Sequence, residues 1–189
     1  QTRLGKVARP VAIIIPSYQA YEYLQICVSA IETFTPAGSY ELIIVDNASN
    51  ENVREFLREL ETSGRAKIHL NDENLGFTAA VNQGIEMSQP NADIILLNND
   101  AVVTRGWLEA LQEVPELMSD VGVVAPRQVL PAMSKTMDAH VPGCAREREL
   151  DVTLSAHHQN IIDPSLDPVR GLMELSFAPF FCVYITRDC

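Results

Sequence analysis

What most constrains the fold of this chain is an alternation of two hydrophobic periods between residues 11 and 125. Residues 11–15 (VAIII), 42–45 (LIIV), 67–70, 94–97 (IILL) and 121–124 (VGVV) are short, largely β-branched apolar runs. Nearly unbroken runs of this kind predict strands buried on both faces. Between them Leu24, Cys27, Val28, Ile31 and Phe34 recur at helical spacing, as do Val53, Phe56, Leu57 and Leu60. The same spacing returns in Phe77, Ala80, Val81 and Ile85, and in Leu108, Leu111 and Val114. Each set predicts one amphipathic helix, the last ended or kinked early by Pro115. Strand and helix alternating four times imply an α/β domain, with a Rossmann-like, mostly parallel sheet, right-handed crossovers and helices on its faces.

The length, 189 residues, suits a single domain, and a 47% hydrophobic composition supplies a sizeable core. With 25 acidic against 14 basic residues the formal charge is -11, so the basic footprint of a nucleic-acid or anionic-membrane binder is missing. No apolar run approaches the 18 or so residues of a transmembrane segment, and residues 1–15 do not read as a signal peptide. Cys27, Cys144, Cys182 and Cys189 have neither CxxC nor metal-ligand spacing, which reads as reduced thiols in a cytoplasmic protein. From 126 to 175 the periodicity dissolves into an irregular segment, and a final strand is expected within 177–187.

Ligands on such sheets bind beyond the carboxyl ends of the strands, so the residues that follow each strand carry the chemistry. Ser17, Asp46 and Ser49 are each explained equally well as helix caps or turn formers, yet together at one sheet edge they suit a polar ligand. The stretch NLGFTAAVNQG, residues 74–84, opens a helix with small residues, where backbone N–H groups can face an anion or the glycines can serve packing. No P-loop lysine follows it, and no GxGxxG follows the first strand, which argues against P-loop and dinucleotide-binding readings. Asp100 follows a buried strand and two asparagines; it is either a turn aspartate or one oxygen ligand of a hard divalent cation completed by substrate phosphates.

The ordered set VAIIIPSYQAYEYLQICVSAI, ELIIVDNASNENV, NDENLGFTAAVNQGI and ADIILLNNDAVVTRGWL resembles the family-2 inverting glycosyltransferases of the GT-A fold, including rhamnosyltransferase-like members, over about residues 11–125. The resemblance implies a nucleotide-diphospho-sugar donor, a glycan acceptor, a role in polysaccharide biosynthesis and Mn²⁺ or Mg²⁺ as cofactor. It implies that Pro16, Ser17 and Tyr18 border the nucleoside, Tyr18 lying against the base, and that Asp46 accepts the imide N–H of uracil or thymine. Gly76 would line the diphosphate, with Asn74 and Asn82 shaping its turn. Asn98, Asn99 and Asp100 stand where the family has Asp-x-Asp, Asp100 being the metal carboxylate and Asn98 replacing the first acid.

The family's acceptor base lies in an acidic segment after a strand resembling residues 180–187, and Asp188 comes too early to fill that role. The expectation is therefore a donor-binding chain that is truncated at its C-terminus, weakly active or inactive alone, with an apolar surface near 177–184 favouring self-association. His140, His157 and His158 read as solvated loop residues rather than ligands, and Trp107 and Phe77 as packing residues rather than sugar platforms. The alternatives are a non-catalytic nucleotide-sugar-binding module and a nucleotidyltransferase. The latter would want a Gly-rich, Arg- and Lys-bearing loop where PSYQAYEYL stands.

Overall fold

At the centre of the sheet lies β1 (Val11–Ser17), whose apolar residues are all inaccessible to solvent apart from the half-buried Pro16. It pairs in parallel with β2 (Tyr40–Asn47) on one side and with β4 (Asp93–Leu97) on the other, and β3 (Lys67–Asn71) extends the sheet beyond β2. These relations come from a computed structural model that describes residues 9–126 and 180–189. The chain divides into two compact units, Gln1–Pro126 with Ala178–Cys189, and Arg127–Phe177; everything described here belongs to the first.

The strand order β3-β2-β1-β4-β6-β5 confirms a Rossmann-like sheet but not a wholly parallel one. The final run enters as β6 (Cys182–Ile185), antiparallel to β4 and to β5 (Val123–Val124). Residues 121–124 were expected to form a buried strand, yet β5 is a two-residue edge with Val123 exposed. A strand paired on one side only has less to bury, so a short apolar run suffices there.

Period-two alternation sends the strand side chains to two cores. Ile13, Ile15, Ile44, Ile95 and Leu97 meet α1 (Tyr21–Phe34), α2 (Glu51–Thr62) and α4 (Trp107–Leu117) on one face. Ala12, Ile14, Ile43, Val45 and Leu96 meet α3 (Phe77–Met87) on the other. Each fully buried Leu or Ile contributes about 1.5–3 kcal/mol, so these stripes hold the helices in place. Close approach of α3 needs Gly84: a Cβ there would lie 2.4 Å from Ile14 Cγ2. Pro115 does not end α4, because it falls in the last turn and the Met118 N–H still reaches the Val114 carbonyl at 2.9 Å.

The order of the strands reverses between β1 and β4, since β2 and β3 lie to one side of β1 and the chain then crosses to the other. On open sheets of this kind the ligand crevice is expected at that switch point, beyond the carboxyl ends of β1 and β4. Among the described residues no helix is long and apolar enough to cross a membrane.

Candidate functional site

The crevice gathers most of the expected site residues because the register demands it. Ser17 and Asp46 are direct partners at the ends of β1 and β2, and Asn47 and Asn71 are partners at the ends of β2 and β3. Across the switch point Asn99 Nδ2 donates to Ser17 Oγ at 3.4 Å. Tyr18 is 51% exposed, a ring left in solvent beside buried polar groups. Backbone strain collects here too: among the described residues the non-glycine positive φ values are those of Gln19, Ala20 and Ala48, all just beyond β1 and β2. Each costs about 1–3 kcal/mol, a cost most often met where a loop must hold a functional shape.

None of the three polar residues offered as caps serves as one. Asn50 caps α2, its Oδ1 accepting from Val53 N–H at 3.3 Å, and α1 starts without a side-chain cap. Ser49 Oγ instead accepts from the Gln19 N–H at 2.7 Å, which ties the two strained turns together. Asp46 is fully buried and its carboxylate is used unevenly. Oδ2 accepts from the Ser49 N–H at 3.0 Å and lies 3.4 Å from Arg54 Nε, whereas Oδ1 is buried with no hydrogen-bond partner. An unsatisfied buried acceptor costs about 1–3 kcal/mol, and Oδ1 carries that unfilled valence.

Beyond β3, Asn74 Oδ1 accepts from the Gly76 N–H at 2.9 Å, so Asn74 does shape the turn. Gly76 caps α3 with φ 83 and ψ 171, a conformation open to glycine alone, although a Cβ would meet no atom within 4 Å. Its own N–H is spent on Asn74, and the first turn of α3 carries no side-chain cap, which leaves the N–H groups after Gly76 to meet an anion. Asn82 is exposed; it is Gln83 that turns toward the site. Gln83 exchanges two amide hydrogen bonds with Asn71, both 2.9 Å, Asn71 Nδ2 also donates to Asn47 Oδ1 at 3.0 Å, and Asn47 Nδ2 donates to the Gly76 carbonyl at 3.2 Å. Asn47 and Asn71 stand in the strand-end stretches where the chemistry is expected, and Gln83 in the stretch 74–84, but the sequence assigns no role to them or to Arg54; asparagines ending two adjacent apolar runs were the available signal.

At the end of β4, Asn98 and Asn99 are half-buried and Asp100 is exposed. The Asn98 carbonyl accepts from Cys27 Sγ at 3.6 Å, and its N–H bonds to the Phe181 carbonyl at 2.9 Å. Burial first, and then the charge of Asp100, push the Cys27 thiol up to about 12, so it is no nucleophile. Among the described residues no three His, Cys, Asp or Glu side chains cluster as a metal site. One exposed carboxylate beside two amides is a hard, oxygen-donating set that fits a divalent ion whose remaining ligands come from phosphates and water.

Four further expectations meet the structure. Trp107 is a packing residue, its indole N–H held by Thr35 Oγ1 at 2.9 Å. Phe77 is not buried: it is 44% exposed and meets the 50% exposed Phe180 edge-on, centroids 6.4 Å apart. Of the apolar run expected to be open, Cys182, Val183 and Tyr184 are buried, because β6 sits between two strands. Asp188 lies at the opposite edge of the sheet, paired with Arg9 at 2.7 Å, which removes it from the crevice. His140, His157, His158 and Cys144 lie outside the described residues.

Fold and site together define an α/β domain that gathers polar, oxygen-bearing side chains at the carboxyl edge of its sheet, around a topological switch point. The family model for "Glycosyl transferase family 2" matches residues 12–161, and the chain belongs to that family. It is 37% identical over 101 residues to "Glycosyltransferase AglE" of Haloferax volcanii, a match covering 52% of this chain and 33% of that protein. Among solved structures it resembles a mannosyltransferase from Pyrobaculum calidifontis in complex with GDP-Man and Mn²⁺ (TM-score 0.52, 21% identity, 63% of this chain and 35% of that one). It also resembles GalNAc-T7 with UDP, GalNAc and Mn²⁺ (TM-score 0.51, 22% identity, 55% and 20%). These likenesses establish the GT-A fold. The matched region spans about a third of the archaeal relative's length.

Proposed function

We propose that this chain carries the donor side of a glycosyltransferase that moves a sugar from a UDP- or dTDP-sugar to a glycan acceptor with inversion, assisted by Mn²⁺ or Mg²⁺. The observation that supports it most is Asp46: a buried carboxylate at the switch point with one oxygen bonded into the turn and the other without a partner. A pyrimidine imide offers a single N–H that Oδ1 can accept, and Tyr18, exposed next to it, gives the base a ring to lie against. Pro16 and Ser17 form the wall beside the nucleoside, and Asn98 and Asn99 supply amide groups on the far side of the crevice.

In this reading the turn 74–76 and the start of α3 receive the diphosphate, backbone N–H groups donating to its oxygens. Asp100 and the neighbouring Asn98 would hold the divalent ion, which supplies Lewis-acid stabilisation of the departing diphosphate in an otherwise acidic protein. Inversion calls for a carboxylate base on the acceptor side, and Asp188, paired with Arg9 at the other edge, does not fill that role. A cytoplasmic location belongs to the same reading and is supported by the thiols, since among the described residues Cys27, Cys182 and Cys189 form no disulfide with one another.

The test is nucleotide binding by calorimetry with and without chelator. UDP affinity should fall at least about tenfold when metal is removed, uridine affinity should hold, and Asp100→Ala should reproduce the chelator effect. Diphosphate binding that ignores both metal and Asp100 would make Asp100 an ordinary turn residue.

A further inference from the structure

A continuous chain of polar contacts runs beneath the crevice from the base side to the diphosphate side. It starts at Asp46, whose Oδ2 lies 3.4 Å from Arg54 Nε as an ion pair without a hydrogen bond. Arg54 reaches on, its Nη2 donating to the Asn71 carbonyl. The Asn71 side chain is the hub: its Nδ2 donates to both Asn47 Oδ1 and Gln83 Oε1, and its Oδ1 accepts from Gln83 Nε2. Asn47 Nδ2 closes the chain on the Gly76 carbonyl at 3.2 Å. Three elements, β2, β3 and α3, thereby fix one turn.

The chemistry of the amides makes this arrangement directional. Each Asn71 amide hydrogen has an acceptor and its oxygen has a donor, so flipping the group would set like against like on both sides. Asn47 and Asn71 are 4% and 6% exposed, so water cannot easily replace the partners they would lose. Gly84, next to Gln83, packs its Cα against Ile14, which seats α3 on the sheet and keeps Gln83 within reach of Asn71. The Gly76 turn uses a positive φ that glycine adopts freely and carries no side-chain cap of its own helix, so its shape depends on Asn74 from one side and Asn47 from the other.

We propose that Asn71, locked by Gln83 and acting through Asn47, is a positioning residue that holds the Gly76 turn in the shape that receives the donor diphosphate. This inference rests on the donor reading above and adds residues to it. Asn71 does not touch the donor; it sets the backbone that does. Its loss therefore penalises ligands that carry phosphates and spares those that carry only the base and ribose.

The experiment compares wild type with Gln83→Leu, which removes both bonds to Asn71 from a partly exposed position, and with Asn71→Asp, which is nearly isosteric but sets an acceptor against Asn47 Oδ1 and Gln83 Oε1. Two readouts are taken on each: amide hydrogen exchange without ligand at Gly76 and Ala80, whose N–H groups bond to Asn74 Oδ1 and the Gly76 carbonyl, and affinity for UDP against uridine with Mn²⁺ present. The expected result is exchange at least about tenfold faster at those two amides, UDP affinity lower by about 5- to 30-fold, and uridine affinity within about twofold. Should Asn71→Asp fail to fold, Gln83→Leu decides alone. Equal losses for UDP and uridine would mark a general structural role, and unchanged exchange together with unchanged UDP affinity would remove the lock; either result overturns the proposal. If wild type itself bound UDP no better than uridine, the donor reading would fall and this assignment with it. The exchange data would still report whether the amides hold the turn.

Discussion

Two carboxylates are buried at opposite edges of the same sheet, Asp46 where β2 ends and Asp93 where β4 begins. Asp93 is 2% exposed and both of its oxygens are engaged. Oδ2 accepts from the Tyr184 hydroxyl, and Oδ1 accepts from the Arg187 N–H at 2.8 Å with Arg9 at 3.6 Å. Asp46 is more deeply buried, yet half of it is unmatched. Burial alone therefore does not separate structure from function; satisfaction does. Asp93 pins the antiparallel β6 against the start of β4, while Asp46 keeps an acceptor in reserve at the edge where the strand order reverses.

The sharpest way to break this contrast is Asp93→Ala. It strands the Tyr184 hydroxyl and the Arg187 N–H, and should cost about 2–4 kcal/mol in urea denaturation with nucleotide affinity preserved. A loss of affinity at unchanged stability would reverse the roles assigned to the two edges. Next in size, Gly84→Ala drives a methyl to within 2.4 Å of Ile14 Cγ2 and should cost about 1–3 kcal/mol. It should also speed amide exchange at Gly76 and Ala80, since Gln83 moves with the helix; a neutral Gly84→Ala would mean α3 is free to shift.

The smallest effect concerns Tyr184. Burial first, and then the hydrogen bond to Asp93, raise its pKa above the ordinary 10.0. A raised pKa means the folded state holds the proton more tightly, so the contribution is full below about pH 10 and fades as pH climbs past it. Tyr184→Phe should cost about 1 kcal/mol at neutral pH and flatten that alkaline decline. An alkaline stability profile identical in the two proteins would show that Tyr184 stays protonated for no energetic benefit.

Much of the fold was legible because strand and helix periods differ so clearly in residues such as Ile13, Ile14 and Ile15 against Leu24, Val28 and Ile31. The residues at the strand ends followed from the parallel topology: once β1, β2 and β4 are aligned, Ser17, Asp46 and Asn99 have no other place to be. What stayed hidden depends on tertiary partners. Nothing in the local sequence says that residues 182–185 insert between β4 and β5, or that Asp93 awaits a hydroxyl 91 positions away. Gln83 was passed over for Asn82 because adjacent helical residues differ by about 100° in direction, and only the seating of Gly84 on Ile14 decides which one faces Asn71. Nothing in the sequence marks Arg54 out among the charges of α2, yet its guanidinium reaches both Asp46 and the Asn71 carbonyl.

The central claim is that the unmatched oxygen of Asp46 reads a pyrimidine imide, and calorimetry on wild type and Asp46→Asn with UDP and GDP tests it most directly. Asparagine keeps an oxygen for the Ser49 N–H but places an NH₂ where the imide N–H must be accepted. The account predicts that wild type prefers UDP over GDP by about tenfold or more and that Asp46→Asn erases the preference, chiefly through weaker UDP binding. Equal affinities for UDP and GDP in both proteins would contradict it, and would leave Asp46 as a turn carboxylate with one oxygen unmatched.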